Sequence, residues 1–362
     1  MKLGLLTFHF PMNYGALLQT YALNLYIKNR GFDVEIINYY SNEHKAKYNF
    51  YQKPTSVRNF FYYIIKTIFI FSYLKKSYKF KRFRKCYFKL TRRYKNLDDV
   101  SFDYDKVMTG SDQVFNINYS DRYIYFQPFI KKNGQKKIAY APSFGVNTID
   151  KAFWEKIECL VKDFDHLSCR ESDGSSFLKE MTGKDVPHVL DPVFLLNESE
   201  WSTIASKRFI KEKYLFVYDL NGKKSLIDIA KRIKNTEKIV LLSNDPIAKV
   251  REEYKGVDVF IQSAGIEEFV GLIKYSEAIV TDSFHGTAMS IIFRKPFYSF
   301  IALEKASFRI LSLLKSLSLE SRLIKNIETD IGSLPETGIE IDTSILNTLL
   351  YQSKLYLNNS LL

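Results

Sequence analysis

The run Ala278-Ile279-Val280-Thr281-Asp282-Ser283-Phe284-His285-Gly286-Thr287-Ala288 passes from an apolar stretch through a polar turn into a second apolar stretch. His285 carries an imidazole that can give up a proton or bond a phosphate near neutral pH. Gly286 lets a backbone approach a ligand closely, and the helix that follows the polar turn offers unpaired N–H groups to an anion. That combination suits acid catalysis on an anionic substrate. A plainer reading has Asp282 or Ser283 capping a helix while His285 packs.

Three other turns group reactive side chains. Gly110-Ser111-Asp112-Gln113-Val114-Phe115-Asn116 holds an acid, amides and a hydroxyl, the groups that bind sugar hydroxyls. Asp112 is the candidate base, and the alternative is a side-chain-capped turn. Ser168-Cys169-Arg170-Glu171-Ser172 offers Arg170 as a two-donor clamp for carboxylate or phosphate, or as the partner of Glu171. Met12-Asn13-Tyr14-Gly15-Ala16 places Asn13 and Gly15 at a helix start, where Asn13 is either an N-cap or part of an acceptor loop. The glycines of a dinucleotide fingerprint or a phosphate-binding P-loop are missing. Cys86, Cys159 and Cys169 have neither metal-ligand nor disulfide spacing, so neither a metal nor a cofactor is expected.

The elements that must position these turns alternate between strand and helix. Lys2–Phe8, Val34–Asn38, Tyr104–Thr109, Lys137–Ala141 and His166–Cys169 read as strands, with helices over Gly15–Asn29, Asp150–Asp163 and Glu171–Met181. After Leu190–Leu196 and the polar Asn197-Glu198-Ser199-Glu200, a hinge by composition, the alternation resumes. Strands are expected at Tyr214–Tyr218, Lys238–Ser243, Val257–Ile261, Ala278–Thr281 and Pro296–Ile301, with helices over Glu267–Tyr275 and Thr287–Phe293. The pattern predicts an α/β chain of two doubly wound domains, 1–196 and 197–362. Reactive turns that follow strands then lie at the C-terminal sheet edges, where such folds bind ligands.

The formal net charge of +13 has one source. Residues 41–100 hold sixteen Lys and Arg against Glu43, Asp98 and Asp99, so the rest of the chain is balanced. This insert into the first domain has an apolar middle, Phe60–Leu74, short of a membrane span. It reads as a helical hairpin or an amphipathic interfacial helix. A basic face suits nucleic acid or an anionic membrane. Lys2–Phe8 is too short for a secretory core and cysteine is scarce, so the expected location is the cytoplasm.

Taken in chain order, Asn13-Tyr14-Gly15-Ala16-Leu17-Leu18-Gln19, Gly110–Asn116, Ala139-Tyr140-Ala141-Pro142-Ser143-Phe144-Gly145, Arg170-Glu171, Asp191-Pro192-Val193 and Thr281–Gly286 resemble the polysaccharide pyruvyl transferase family. Ala306-Ser307-Phe308-Arg309-Ile310 looks like a further family segment. The resemblance runs from about residue 3 to about residue 325 and leaves out 41–100. It implies two Rossmann-like domains facing across a cleft, a glycosyltransferase-B-like fold, with the active site in that cleft. It also implies phosphoenolpyruvate as donor co-substrate, and as acceptor a sugar or lipid-linked oligosaccharide that receives pyruvate as a ketal. By similarity His285 and Arg170 fall at donor-binding positions. Ser283, Gly286 and Arg309 suit the same anion, while Asp112, Asn13, Gly15 and Gln113 are placed on the acceptor side by location.

The expected product is a cell-surface or exopolysaccharide precursor, made without nucleic acid as partner. The insert over 56–95 is the candidate for peripheral contact with the inner face of the membrane. Two other classes compete: a nucleotide-sugar glycosyltransferase of the same fold, and a non-catalytic polysaccharide-assembly protein.

Overall fold

The computed structural model describes residues 1–40, 67, 70–97, 103–116, 120–130, 134–146, 148–222, 224–233, 237–243, 248, 252–301, 304–325 and 342–362. The chain forms two compact units. One comprises Met1–Tyr48, Arg84–Leu196 and Thr343–Leu362, the other Asn49–Phe83 and Asn197–Asp342.

The first unit is built on β1 (Lys2–Leu6), β2 (Asp33–Ile36), β3 (Lys106–Thr109), β4 (Lys136–Ala139) and β5 (His166–Leu167). They lie in the order β2-β1-β3-β4-β5, all parallel. β3 is buried along its whole length, as expected of a strand covered on both faces. The order reverses between β1 and β3, and the turns after these two strands are tied together, with Thr7 Oγ1 donating to the Ser111 carbonyl at 3.0 Å. The helix Tyr14–Lys28 follows β1 and is buried on nearly every side. Its polar residues therefore need partners, and they find them in the turn after β1. Gln19 Nε2 donates to Thr7 Oγ1 at 2.9 Å, and Thr20 Oγ1 donates to the Phe8 carbonyl at 3.1 Å.

The second unit holds β6 (Tyr214–Asp219), β7 (Lys238–Ser243), β8 (Val259–Ile261), β9 (Ala278–Thr281), β10 (Phe297–Phe300) and β11 (Leu323–Ile324). The order is β11-β10-β9-β6-β7-β8, again all parallel. Here the reversal lies between β6 and β9. Its core packs Val217, Leu241 and Val280 of the sheet against Leu226, Ile227 and Ala230 of the helix Lys224–Ile233.

Three features differ from the sequence expectation. The C-terminal helix, Thr343–Leu361, belongs to the first unit rather than to a domain 197–362. Tyr356 donates to the Ala139 carbonyl, Ser353 Oγ accepts from Leu190 N, and the buried Lys106 ammonium caps the helix end at the Leu361 carbonyl, 2.6 Å away. Second, the insert does not sit wholly in the first unit: within it, Ile70–Phe83 groups with the second. One helix, Ile70–Tyr87, is seen there. Residues 41–66 lie outside the described residues, and with them most of the Phe60–Leu74 stretch and the choice of a hairpin. Third, Pro192–Leu195 is a buried turn capped by Asp191, while Asn197 and Glu200 form a capping box on Glu198–Ser202. This stretch thus serves two helix caps, and it lies where the two units divide, between Leu196 and Asn197.

Candidate functional site

In the second unit the turns after β6 and β9 flank the reversal of strand order. β9 ends at Thr281, and the helix Phe284–Ile292 begins three residues later. Ser283 is its N-cap, accepting from Gly286 N at 3.3 Å. His285 lies in the first turn of this helix and is buried, with its ring edge-on to Phe284. Gly286 has a steric reason: a Cβ there would lie 2.6 Å from Thr281 Oγ1. That oxygen is itself fixed, donating to the Tyr218 carbonyl at 2.8 Å and accepting from Ser283 N at 3.1 Å. Gly286 thus lets the helix start sit tight against β9 and β6.

Asp282 ties the two turns together. Its carboxylate accepts from Leu220 N at 2.8 Å, from Asn221 N at 3.1 Å and from Asn221 Nδ2 at 2.7 Å. Burial pushes its pKa up to about 6, and the nearby Asp219 adds to the shift against these hydrogen bonds. Asp219, the last residue of β6, is sealed from solvent and accepts from Gly222 N, Ser243 Oγ and Tyr254 OH. The site is therefore a pre-shaped pair of turns with a histidine and a helix N-terminus at its centre. Arg309 is half-buried in the helix Glu304–Ser316 of the same unit.

In the first unit the turns after β3, β4 and β5 form a second cluster. Arg170 Nη1 donates to Asp191 Oδ2 at 2.7 Å, and its Nε lies 3.5 Å from Glu171 Oε1. Ser111 Oγ donates to the same Asp191 oxygen at 3.0 Å, and Ser143 Oγ bonds Glu171 Oε1. Burial opposes the Arg170 charge, but Glu171, Asp191 and Asp112 outweigh it and raise its pKa. Asp112 sits at φ 80° and ψ 180°, a backbone region that only glycine enters without strain. Its Oδ1 accepts from Gln113 N at 2.8 Å, and its carbonyl accepts from Val114 N and Ser143 N. Gly145, at φ +66°, packs so closely on Gln113 and Asn116 that a Cβ would approach both side-chain amides to about 3 Å.

Residues 13–302 match the model of the polysaccharide pyruvyl transferase family. The chain belongs to that family. Membership makes it a transferase acting in polysaccharide synthesis. No curated protein sequence matches it.

Solved structures reach the fold by another route. A protein from Listeria monocytogenes described as a UDP-N-acetylglucosamine 2-epimerase aligns with TM-score 0.52 and 9% identity, over 98% of this chain and 90% of its own. The UDP-N-acetylglucosamine 2-epimerase of Methanocaldococcus jannaschii aligns with TM-score 0.50 and 13% identity, over 97% of this chain and 100% of its own. At such identities the likeness speaks to fold alone, and the fold is the glycosyltransferase-B-like α/β class.

The residues singled out in the sequence divide between the two units, and Arg309 lies beyond the matched residues 13–302. Asn13, Gly15, Asp112, Gln113 and Arg170 lie in the first, and Ser283, His285, Gly286 and Arg309 in the second. Asn13 has its plainer role, capping Tyr14–Lys28 through Ala16 N at 3.1 Å, with Gly15 buried behind it. Arg170 is not held out as a clamp but is sealed among two carboxylates.

Sequence reasoning assigned no role to Asp191, Asp219, Asn221 or His9. Asp191 was visible in the family segment Asp191-Pro192-Val193. Asp219 and Asn221 had the same signal as His285, a buried strand followed at once by a polar turn. His9 gave no signal. It is buried in the turn after β1 and bonded to the Thr7 carbonyl and Asn38 Oδ1, and burial lowers its pKa.

Proposed function

We propose that this transferase moves the enolpyruvyl carbons of phosphoenolpyruvate onto a sugar as a cyclic ketal. In this reading His285 supplies the proton to C3 of the enol. Positive charge then develops at C2, and one sugar hydroxyl attacks it. A second hydroxyl of the same sugar displaces phosphate and closes the ring. Phosphate leaves, and the two hydroxyl protons pass to bases. Asp112 is the base proposed for the attacking hydroxyl.

Donor binding falls to the second unit. The Phe284–Ile292 helix start and Arg309 supply positive potential for phosphate and carboxylate. Gly286 admits the backbone approach, and the Asp282 bridge holds the turns in place before substrate arrives. Gln113 and Asp112 offer the amide and carboxylate that a sugar acceptor needs. A sugar carried on a lipid at the inner membrane face is the proposed form of acceptor.

The observation that carries this reading is His285 at a helix N-terminus beside the β6/β9 reversal, within a family-matched segment. The test is phosphate release from phosphoenolpyruvate in the presence of a panel of nitrophenyl and lipid-linked sugars. Release that depends on a sugar, with a pyruvate ketal in the product, supports it. Turnover of a UDP-sugar with none of phosphoenolpyruvate would instead establish the nucleotide-sugar reading, and no turnover of either the assembly-protein reading.

A further inference from the structure

The helix Ile70–Tyr87 contains no acidic residue in the sequence IFSYLKKSYKFKRFRKCY. Its two faces are unlike. Lys76, Phe80 and Phe83 are buried. Phe71, Leu74, Lys75, Tyr78, Lys81, Arg82 and Lys85 are exposed. At about 100° per residue these seven fall within one arc of about 120°.

Exposure of the apolar members is high: Phe71 80%, Tyr78 65% and Leu74 54%. They lie towards the N-terminal end of the face, and the cations Lys75, Lys81, Arg82 and Lys85 run alongside and beyond them. The inner face is anchored. Lys79 pairs with Glu268, and the Lys79 Cβ lies so close to Gly265 that no side chain would fit there. The outer face is therefore held as a fixed surface.

We propose that this outer face docks on an anionic lipid bilayer. The backbone of a nucleic-acid duplex takes only the cations, and bases that stack on the rings would still leave Leu74 in water. A bilayer interface takes both, burying Phe71 and Leu74 among acyl chains, seating Tyr78 at headgroup depth and pairing the cations with lipid phosphates. The contact is with the surface, since among the described residues no helix is long and apolar enough to cross a membrane. The proposal deepens the lipid-borne-acceptor reading and rests on it only for its purpose. The surface itself stands on the helix geometry.

Flotation of the full chain with vesicles tests it. With roughly a third phosphatidylglycerol in phosphatidylcholine, the protein floats, and binding to phosphatidylcholine alone is at least about tenfold weaker. Raising salt from about 0.1 to about 0.5 M releases it. Reversal of Lys75, Lys81, Arg82 and Lys85 to Glu abolishes flotation, and Phe71→Ser with Leu74→Ser weakens it about tenfold at unchanged charge. Reversal of the exposed Lys151 and Lys179 in the first unit leaves it intact. Equal flotation with neutral vesicles, no flotation, or binding to RNA without binding to vesicles overturns the proposal. Phosphate release on a soluble nitrophenyl sugar is unchanged by the same helix variants, so failure here is separable from failure of the pyruvyl-transfer reading.

Discussion

Arg170 and Asp191 form an ion pair at 2.7 Å with both side chains sealed from solvent. One buried cation is shared by two buried carboxylates, because Glu171 lies 3.5 Å from Arg170 Nε. Ser111 after β3 and Ser143 after β4 complete the set by bonding Asp191 and Glu171. Three turns from three strands are thus joined through a charge cluster as well as through the ring contacts of Phe144 with Phe115 and Phe177. Burial of such groups is costly and tolerates little change of geometry, so it defines the turn conformations sharply.

Breaking this pair should unfold the first unit before it changes any rate. Asp191→Ala leaves the Arg170 charge beside Glu171 alone, with an expected loss of about 3–5 kcal/mol in urea denaturation. Arg170→Lys keeps the charge but loses the fork, with an expected loss of about 1–3 kcal/mol. If Arg170→Lys retains full stability and raises only the KM for phosphoenolpyruvate, Arg170 is a donor clamp and the structural assignment fails.

Asp112 offers the opposite signature. Its backbone conformation costs about 1–3 kcal/mol for a residue with a Cβ. Asp112→Gly relieves that strain, so the melting temperature should hold or rise by a few degrees. A residue kept in this conformation only to shape a turn would lose nothing in turnover. We expect kcat to fall at least about tenfold as the base is lost. A stabilised variant with full activity would remove Asp112 from the mechanism.

Much of this was legible in the sequence for a physical reason. Strands covered on both faces are apolar throughout, so β7 and β9 stand out at their observed limits. His285 was legible because a strand, a polar turn and a helix start leave few places for a histidine except the sheet edge. The Arg170–Asp191 pair was not, because residues twenty-one apart meet only through the packing of β5 and the turn at Pro192. The return of Thr343–Leu361 to the first unit was hidden likewise. Its anchors, Tyr356, Ser353 and the carbonyl of Leu361, are ordinary helix residues whose partners lie far away in the chain.

Asp282 predicts a pH effect of defined sign. Its folded pKa of about 6 lies above the ordinary aspartate value, so the folded state holds the proton more tightly. The stability this contributes is full below about pH 4 and is lost as pH rises through about 6. Asp282→Asn cannot ionise. The wild type should therefore lose on the order of 2–3 kcal/mol relative to the variant between about pH 4 and about pH 7. Urea denaturation of both proteins across this range is the measurement. A constant difference would mean that the carboxylate does not titrate there.

Turnover is expected without a divalent ion. The helix N-terminus and Arg309 carry the compensating charge in the proposed mechanism. Phosphate release in EDTA should match that in added Mg²⁺ or Mn²⁺. Loss of activity in EDTA with recovery on adding either ion would require a metal in the donor site.

His285 is the residue on which the proposed chemistry turns. The ring is buried in the first turn of Phe284–Ile292, where Ser283 already caps the helix. Helix initiation therefore does not depend on the imidazole. Asparagine is smaller and polar, and it keeps one donor and one acceptor near the same place. His285→Asn should hold its melting temperature within a few degrees. What it cannot do is deliver a proton, since an amide is not an acid in water. Loss of a positioned general acid costs about 10²–10⁴-fold, and kcat should fall by that amount with little change in phosphoenolpyruvate binding. Binding of phosphoenolpyruvate is read separately, by its protection of the variant against thermal unfolding. A variant that unfolds would give the histidine a packing role. One that turns over at the wild-type rate would move the acid to another residue.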